Sequence, residues 1–385
     1  MSARLVVVGA GALGSMLAYH ALESGNEVVL LEREDAARGA TIRNFGLVWV
    51  SGRHAGEELE LALRARELWE EIGTAVPEIG FRANGSLTIA QTEPELRVLE
   101  QTVALDDAAQ RGFALLDASQ VREANPAVRG QVRAGLHCAL DAAVEPRRVP
   151  GALRQALERK PSFRFVPRRH VVAAGDGWAR DHLGETHGGD AVVLCPGAAH
   201  RGIGGWDAEA TPLRRVRLQM LETEPLDEPV TTSLADGDSL RYYPVFKVPA
   251  LADLPAPAPV VAEHAAQLLL QQRLDGGLTI GDTHVYEEPF DVATSEAPYA
   301  HLLARAESIL GRPLPPVRRR WAGVYSQSRP DVLYHYEPLG ERTVVVTGAG
   351  GRGMTLSPAI AEDVLERLGL SQSHSLVSTR CSTGL

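Results

Sequence analysis

Lysine is nearly missing from this 385-residue chain. Only Lys160 and Lys247 occur, and arginine supplies almost all the positive charge. Cysteine is equally sparse: Cys138, Cys195 and Cys381 are far apart and odd in number. No C-x-x-C pair occurs, which excludes a zinc-finger spacing and a disulfide framework, so no metal is expected. The pattern fits a reducing compartment, and a cytoplasmic location is expected. Excess basic charge is also absent. The formal charge is −10, which argues against nucleic acid as a partner. No apolar run reaches the ~18 residues of a membrane span. Leu5–Val8 runs into a glycine motif rather than a cleavage site, so no signal peptide is expected. There is no internal repeat, and no Ser-His-Asp set has convincing spacing. What remains is a globular composition, 44% hydrophobic and 23% charged, of a length that suits two or three domains.

The first 32 residues are the most informative. Residues 4–8, RLVVV, are a β-branched run that predicts a buried parallel strand. Gly9-Ala10-Gly11-Ala12-Leu13-Gly14 follows, then a helical stretch from Ser15 that stops near Gly25, then Glu27–Leu31 as a second strand ending in Glu32. Strand, glycine turn, helix, strand and acid together make a dinucleotide-binding fingerprint. In it Gly9 permits the turn, Gly11 lets a pyrophosphate approach the backbone, and Gly14 lets the helix pack on the strand. The helix N-terminus offers free N–H groups to phosphate. Glu32 can accept hydrogen bonds from a ribose 2′-OH and disfavours a 2′-phosphate. The fingerprint does not by itself separate NAD from FAD.

Other segments bear on that choice. Residues 39–46 read GATIRNFG. Asp190–Ala198 is an apolar strand ending at glycine. Residues 343–359 read as a strand, a glycine-rich turn and a helix expected over about Ser357–Leu368. With these segments the chain, from Arg4 to about Gly369, resembles the D-amino-acid oxidase superfamily of FAD-dependent oxidoreductases, which includes sarcosine and glycine oxidases. The resemblance implies that FAD is held by Gly9, Gly11, Gly14, Glu32 and Arg33, and by Thr41, Arg43, Asn44, Phe45 and Gly46. It further implies Gly197 and the flavin-edge run Gly350, Gly351, Arg352, Gly353, Met354 and Thr355. Val171 or Val172, with Val172 preferred, matches a valine whose backbone binds adenine. Arg43–Gly46 with Trp49, and Asp275–Tyr286, look like a subgroup proposed to oxidise aminophosphonates similar to 2-aminoethylphosphonate.

The fold expected is α/β (α+β overall), a Rossmann-type FAD-binding domain interleaved with a mixed-sheet substrate domain. The first should take residues 1–85, 142–210 and 321–370, and the second 86–141 and 211–320. Residues 371–385, polar and rich in Ser and Thr, read as a disordered tail. Gly85–Ala90 reads as a strand and Glu93–Arg111 as a helix. Residues 249–259 hold four prolines and read as a loop or extended connector.

The resemblance implies transfer of a hydride equivalent from the C–H beside a small amine's nitrogen to flavin N5, followed by hydrolysis of the imine. The cofactor performs the hard step and the protein positions the amine. A phosphonate would call for arginine, which matches its oxygens bidentately, and Arg43, Arg53, Arg329 and Arg352 are candidates. His284 and Tyr286 follow a strand expected to face the flavin. Tyr242 and Tyr243 could wall the amine, and Lys247 or His54 could stand near the flavin. The family resemblance gives lysine a role in promoting reaction with O2, the expected electron acceptor. Sarcosine oxidases attach FAD through a cysteine in the segment matching residues 321–325, where this chain has none, so noncovalent FAD is expected. The alternatives are an oxidase of the ordinary D-amino-acid, sarcosine or glycine type, a non-catalytic flavin-binding subunit, and an NAD-linked dehydrogenase. Oligomeric state is open.

Overall fold

The computed structural model describes residues 2–203, 205–208, 211–329 and 332–371; of the expected tail, all but Ser371 lies outside the described residues. Arg4–Val8 and Glu27–Leu31 form strands as expected, joined by the helix Ala12–Glu23. They lie at the heart of a six-stranded sheet in the order His335–Pro338, Thr343–Thr347, Ala191–Leu194, Arg4–Val8, Glu27–Leu31, Phe163–Val166. All its pairings are parallel except that of His335–Pro338 with Thr343–Thr347. Both faces are covered, as parallel sheets require. Leu5 and Val7 join the core beneath the helices Ala12–Glu23, Glu57–Ala75 and Gly353–Arg367. Val6 and Val8 point the other way, into a core shared with the three-stranded meander Val171–Gly175, Trp178–Asp181, Thr186–Gly188.

A second sheet has eight strands in the order Val317–Gln327, Arg214–Pro225, Gly277–Gly281, Leu269–Gln272, Ser233–Ala235, Ser86–Ala90, Ala134–Cys138, Phe113–Asp117. It is mixed: Ser233–Ala235 runs parallel to Ser86–Ala90 and every other pair is antiparallel. One face carries Leu218, Met220, Leu269 and Tyr325 toward the first sheet, and the other packs on the helix Glu296–Leu310. A short ribbon, Leu47–Val48 with Ala142–Ala143, stands apart from both sheets. The architecture is the expected α/β, α+β overall.

Three sequence expectations are corrected. Val317–Gln327 pairs along its length with Arg214–Pro225, so an internal boundary at residue 321 would cut a strand of the larger sheet. The helix expected over Glu93–Arg111 ends at Val103 and gives way to turns, closed by Gly112 at φ +66°. The last helix begins at Gly353 rather than Ser357, with Pro358 inside it. Pro358 removes the N–H that would bond to Met354 O. Trp69 Nε1 (3.0 Å) and Ser357 Oγ (3.3 Å) donate to that oxygen instead, which lets the helix continue through the proline. Residues 249–259 form a 3-10 turn, Pro249–Asp253, a short extended stretch, and the start of the helix Pro259–His264.

Candidate active site

Between the two sheets lies one large cavity of about 1230 Å³. Its two ends are made differently. At the first, the chain turns at Gly9, whose φ of +102° is costly for any residue with a Cβ. A Cβ on Gly14 would lie 1.9 Å from Gly9 O, so only glycine lets the helix Ala12–Glu23 start this close to the strand. Glu32 is engaged by the backbone. Its Oε2 accepts from Ala10 N (2.8 Å) and its Oε1 from Glu34 N (3.1 Å), so the carboxylate fastens the glycine turn. Thr41 Oγ1 accepts from Ala12 N (2.9 Å) and ties the 40–46 segment to the helix start. Asn44 folds that segment, donating to Ala40 O and Thr41 O and accepting from Gly46 N.

Gly9, Gly11, Gly14, Glu32, Arg33, Thr41, Arg43, Asn44 and Phe45 all line the cavity, as do Gly197 and Gly350–Thr355. Gly46 does not; it is buried one step behind the wall. Val171 and Val172, the two candidates for a backbone contact to adenine with Val172 preferred, are placed differently. Val171 lines the cavity, while Val172 is 45% exposed, because adjacent strand residues face opposite ways. Thr355 is spent on structure: its Oγ1 accepts from Trp49 N (2.9 Å) and lies 3.2 Å from Leu47 O.

At the second end the lining is side chains from distant segments. Tyr242 stacks on His284 with ring centroids 4.4 Å apart, and Tyr286 lies on the far side of His284 at 6.3 Å. Tyr243 meets Tyr242 edge-on and Trp49 at 6.0 Å. Burial pushes the hydroxyls of Tyr242, Tyr243 and Tyr325 well above their usual range, so they remain neutral hydrogen-bonding groups. Arg53 and Arg352 share one carboxylate: Glu58 Oε1 is 3.5 Å from Arg53 and Oε2 is 3.6 Å from Arg352. All three line the cavity. Desolvation holds the Arg352 guanidinium below its usual value, opposed by Glu58. Lys247 and His54 are on the cavity wall and exposed. Arg329 is corrected: it is exposed and takes no part in the cavity lining.

Sequence reasoning missed Glu58, Asp282 and Arg273. Arg273 is buried behind the wall, donating to Phe45 O (2.6 Å), Asn44 O (3.0 Å) and Thr279 Oγ1 (2.7 Å). Burial lowers it to about 10. It clamps the 44–45 backbone against the larger sheet, and no local signal at residue 273 announces this. Away from the cavity, Asp181, Glu185 and His187 lie close together. Asp181 is already engaged there by Arg169 (2.9 Å) and His187 (3.1 Å).

The residues present fit FAD. The cavity is long enough to have a phosphate-type end and a distinct aromatic end. In the glycine turn of the first a Cβ on Gly9 or Gly14 would collide with backbone, at 2.4 Å from Cys195 O and 1.9 Å from Gly9 O, and two helix N-termini, at Ala12 and Gly353, open onto the cavity. Fold and site together define a flavoprotein of the two-sheet oxidoreductase kind.

Residues 4–367 match the family described as DAO, FAD dependent oxidoreductase, and the chain belongs to it. It is 25% identical over 236 residues to an opine oxidase subunit of Rhizobium meliloti, covering 57% of this chain and 63% of that one. It is 35% identical over 113 residues to human mitochondrial sarcosine dehydrogenase, covering 28% of this chain and 12% of that one. The matched stretches thus span less than two thirds of these relatives' length. Among solved structures, glycine oxidase from Bacillus cereus superposes with a TM-score of 0.75 at 16% identity, covering 97% of both chains. L-proline dehydrogenase from P. horikoshii does so with 0.75 at 17% identity, covering 97% of this chain and 95% of that one. At these identities the superpositions speak for the fold.

Proposed function

We propose that the chain oxidises the C–N bond of a small amine that also carries an anionic group, an aminophosphonate similar to 2-aminoethylphosphonate or its N-methyl form. The observation that carries this reading is the pair Arg53 and Arg352 sharing Glu58 on the cavity wall: two guanidiniums against one carboxylate leave one net positive charge facing the aromatic end. That wall, as distinct from the Asp282 side, favours an anion through its net charge and its remaining N–H groups, since Arg53 Nε is engaged by Trp49 O and Arg352 Nε and Nη2 by the carbonyls of Ala349, Val332 and Leu333.

The glycine turn and the Gly350–Thr355 run would hold FAD without a covalent bond, and the bound flavin would supply the two-electron oxidation of the C–H bond beside nitrogen. The chain's own part is placement. Tyr242, Tyr243 and Trp49 wall the amine, and Arg53 and Arg352 hold the anion. The imine is released to water and hydrolyses. Lys247, a cation on the wall with no ion pair among the described residues, suits O2 as acceptor, because reduction of O2 develops negative charge.

The test is anaerobic bleaching of the purified yellow protein by paired amines: 2-aminoethylphosphonate and its N-methyl form against β-alanine, sarcosine, glycine and D-alanine. Bleaching by the phosphonates but not the carboxylates is expected. Bleaching by carboxylates alone would overturn the phosphonate reading in favour of an ordinary amine oxidase. A second reading, a flavin-carrying subunit of a larger oxidase, has support in the similarity to a chain named as one subunit of opine oxidase. It predicts a yellow protein that no amine bleaches until a partner chain is added.

A further inference from the structure

Among the described residues, four buried carboxylates outside the Arg53–Glu58–Arg352 group differ in how they are partnered. Asp141 accepts from Val50 N (2.6 Å), Ser51 N (3.0 Å), Ser51 Oγ (2.6 Å) and Ser86 Oγ (2.6 Å). Asp236 holds Arg305 (2.7 Å) and three backbone amides. Glu222 is gripped by Arg147 and Arg318. Asp282, 6% exposed, receives a single side-chain hydrogen bond, from Gln267 Nε2 to Oδ1 at 3.2 Å. His284 Nε2 stays 3.9 Å from its Oδ2, beyond hydrogen-bonding distance. Of these four, Asp282 alone lines the cavity.

Its neighbour repeats the pattern. Gln267, 2% exposed and also on the cavity wall, must turn Nε2 to the carboxylate, which fixes Oε1 on the other side. Gln267 Oε1 is buried and has no hydrogen-bond partner. Two buried side chains with acceptors lacking donors, side by side on a ligand cavity, are costly unless the ligand brings the donors. Three donors on one cationic atom are what an ammonium group provides.

We infer that Asp282 and Gln267 form the subsite for the substrate's cationic nitrogen, and that Asp282 takes its proton. This rests on the amine reading above and extends it: with the Arg53–Arg352 pair, the cavity is lined for a zwitterion. In the step an N–H bond of the ammonium breaks and its electron pair stays on nitrogen. An O–H bond forms on Asp282, leaving a neutral amine beside a neutral acid. Burial raises the Asp282 carboxyl above the usual carboxylate range, with His284 and Gln267 opposing, which makes it a better proton acceptor than a solvated aspartate. The other titratable groups facing it are His284 and the hydroxyls of Tyr242, Tyr243, Tyr286 and Tyr325.

The experiment is calorimetric binding to dithionite-reduced holoenzyme, where no turnover occurs, using two ligand pairs. These are 2-aminoethylphosphonate with ethylphosphonate, and β-alanine with propionate. Asp282→Asn should weaken the aminated member by at least about tenfold and the amine-free member by less than about twofold. Gln267→Leu should weaken the same member to a smaller extent. Equal losses for both members, or no loss, overturn the inference. So does a wild-type protein that prefers the aminated member in neither pair, whatever the variants do. If only the carboxylate pair binds, the phosphonate reading fails, while the ratio within that pair still decides the role of Asp282.

Discussion

The two ends of the cavity solve different problems. The dinucleotide end is built from backbone: a turn at Gly9, an approach at Gly14 that no side chain could share, and carboxylate and hydroxyl groups of Glu32 and Thr41 turned inward to hold that backbone. The aromatic end is built from side chains that meet only in the folded chain: Arg53 and Glu58, Tyr242 and Tyr243, Asp282 and His284, Tyr325, Arg352. The first end is a shape and the second is a charge distribution. Steric errors should therefore be fatal at the first, and charge errors should be selective at the second.

The largest effect expected is that of Gly14→Leu. Its Cβ would sit 1.9 Å from Gly9 O, a contact with backbone that cannot move aside. Little soluble protein, and none with bound flavin, is expected; flavin absorbance per chain after purification checks it. A normal yellow spectrum would break the comparison at its stronger side. Next is Asp141→Ala, which strips partners from two buried amides and two hydroxyls where the Val50–Ser51 segment is tied to the strand Ser86–Ala90. At ~1–3 kcal/mol for a buried unsatisfied group, partly relieved by relaxation, a loss of about 3–5 kcal/mol is expected in denaturant unfolding. Third is Arg352→Met. Glu58 would then neutralise Arg53 and leave no net charge at that wall. We expect kcat/KM for anionic amines to fall about 10- to 100-fold, the size of a lost charged hydrogen bond, with flavin content kept. An equal fall for an uncharged amine would show that the arginine shapes the wall rather than reading the anion.

The same contrast decides what the sequence disclosed. Gly9, Gly11, Gly14 and Glu32 fall within 24 residues, so one βαβ unit carries their geometry locally. The parallel strands were legible for a related reason, since burial on both faces writes unbroken runs such as RLVVV. Between Val171 and Val172 the sequence offered no choice, because strand alternation sets which side chain faces the cavity and the expected contact is a backbone one. The last helix starts at Gly353, ahead of the expected Ser357, and runs through Pro358. The substitution of Trp69 Nε1 for the missing N–H comes from 289 residues upstream and leaves no local trace. Glu58, Asp282 and Arg273 escaped notice because each takes its meaning from partners in other segments.

The smallest effect expected separates a residue kept for folding from one kept for a ligand. Asp282, unlike Asp141, is held by one hydrogen bond, and burial raises its carboxyl above the usual value. A group whose folded pKa is raised favours the fold below its unfolded pKa of ~3.9, and that contribution is lost as pH rises through the folded pKa. Ionised Asp282 is thus a cost to the ligand-free protein near neutral pH. Asp282→Asn keeps the volume and one acceptor oxygen while removing the charge. The variant should melt about 1–2 °C higher than wild type at pH 7.5, for a gain on the order of 1 kcal/mol spread over a chain of this length. The advantage should shrink as pH falls toward 4, because protonation of the wild-type carboxyl removes that cost. Scanning calorimetry of ligand-free holoenzyme at the two pH values reads both points. A variant that melts lower at pH 7.5 would place Asp282 with Asp141 among the carboxylates that hold the fold.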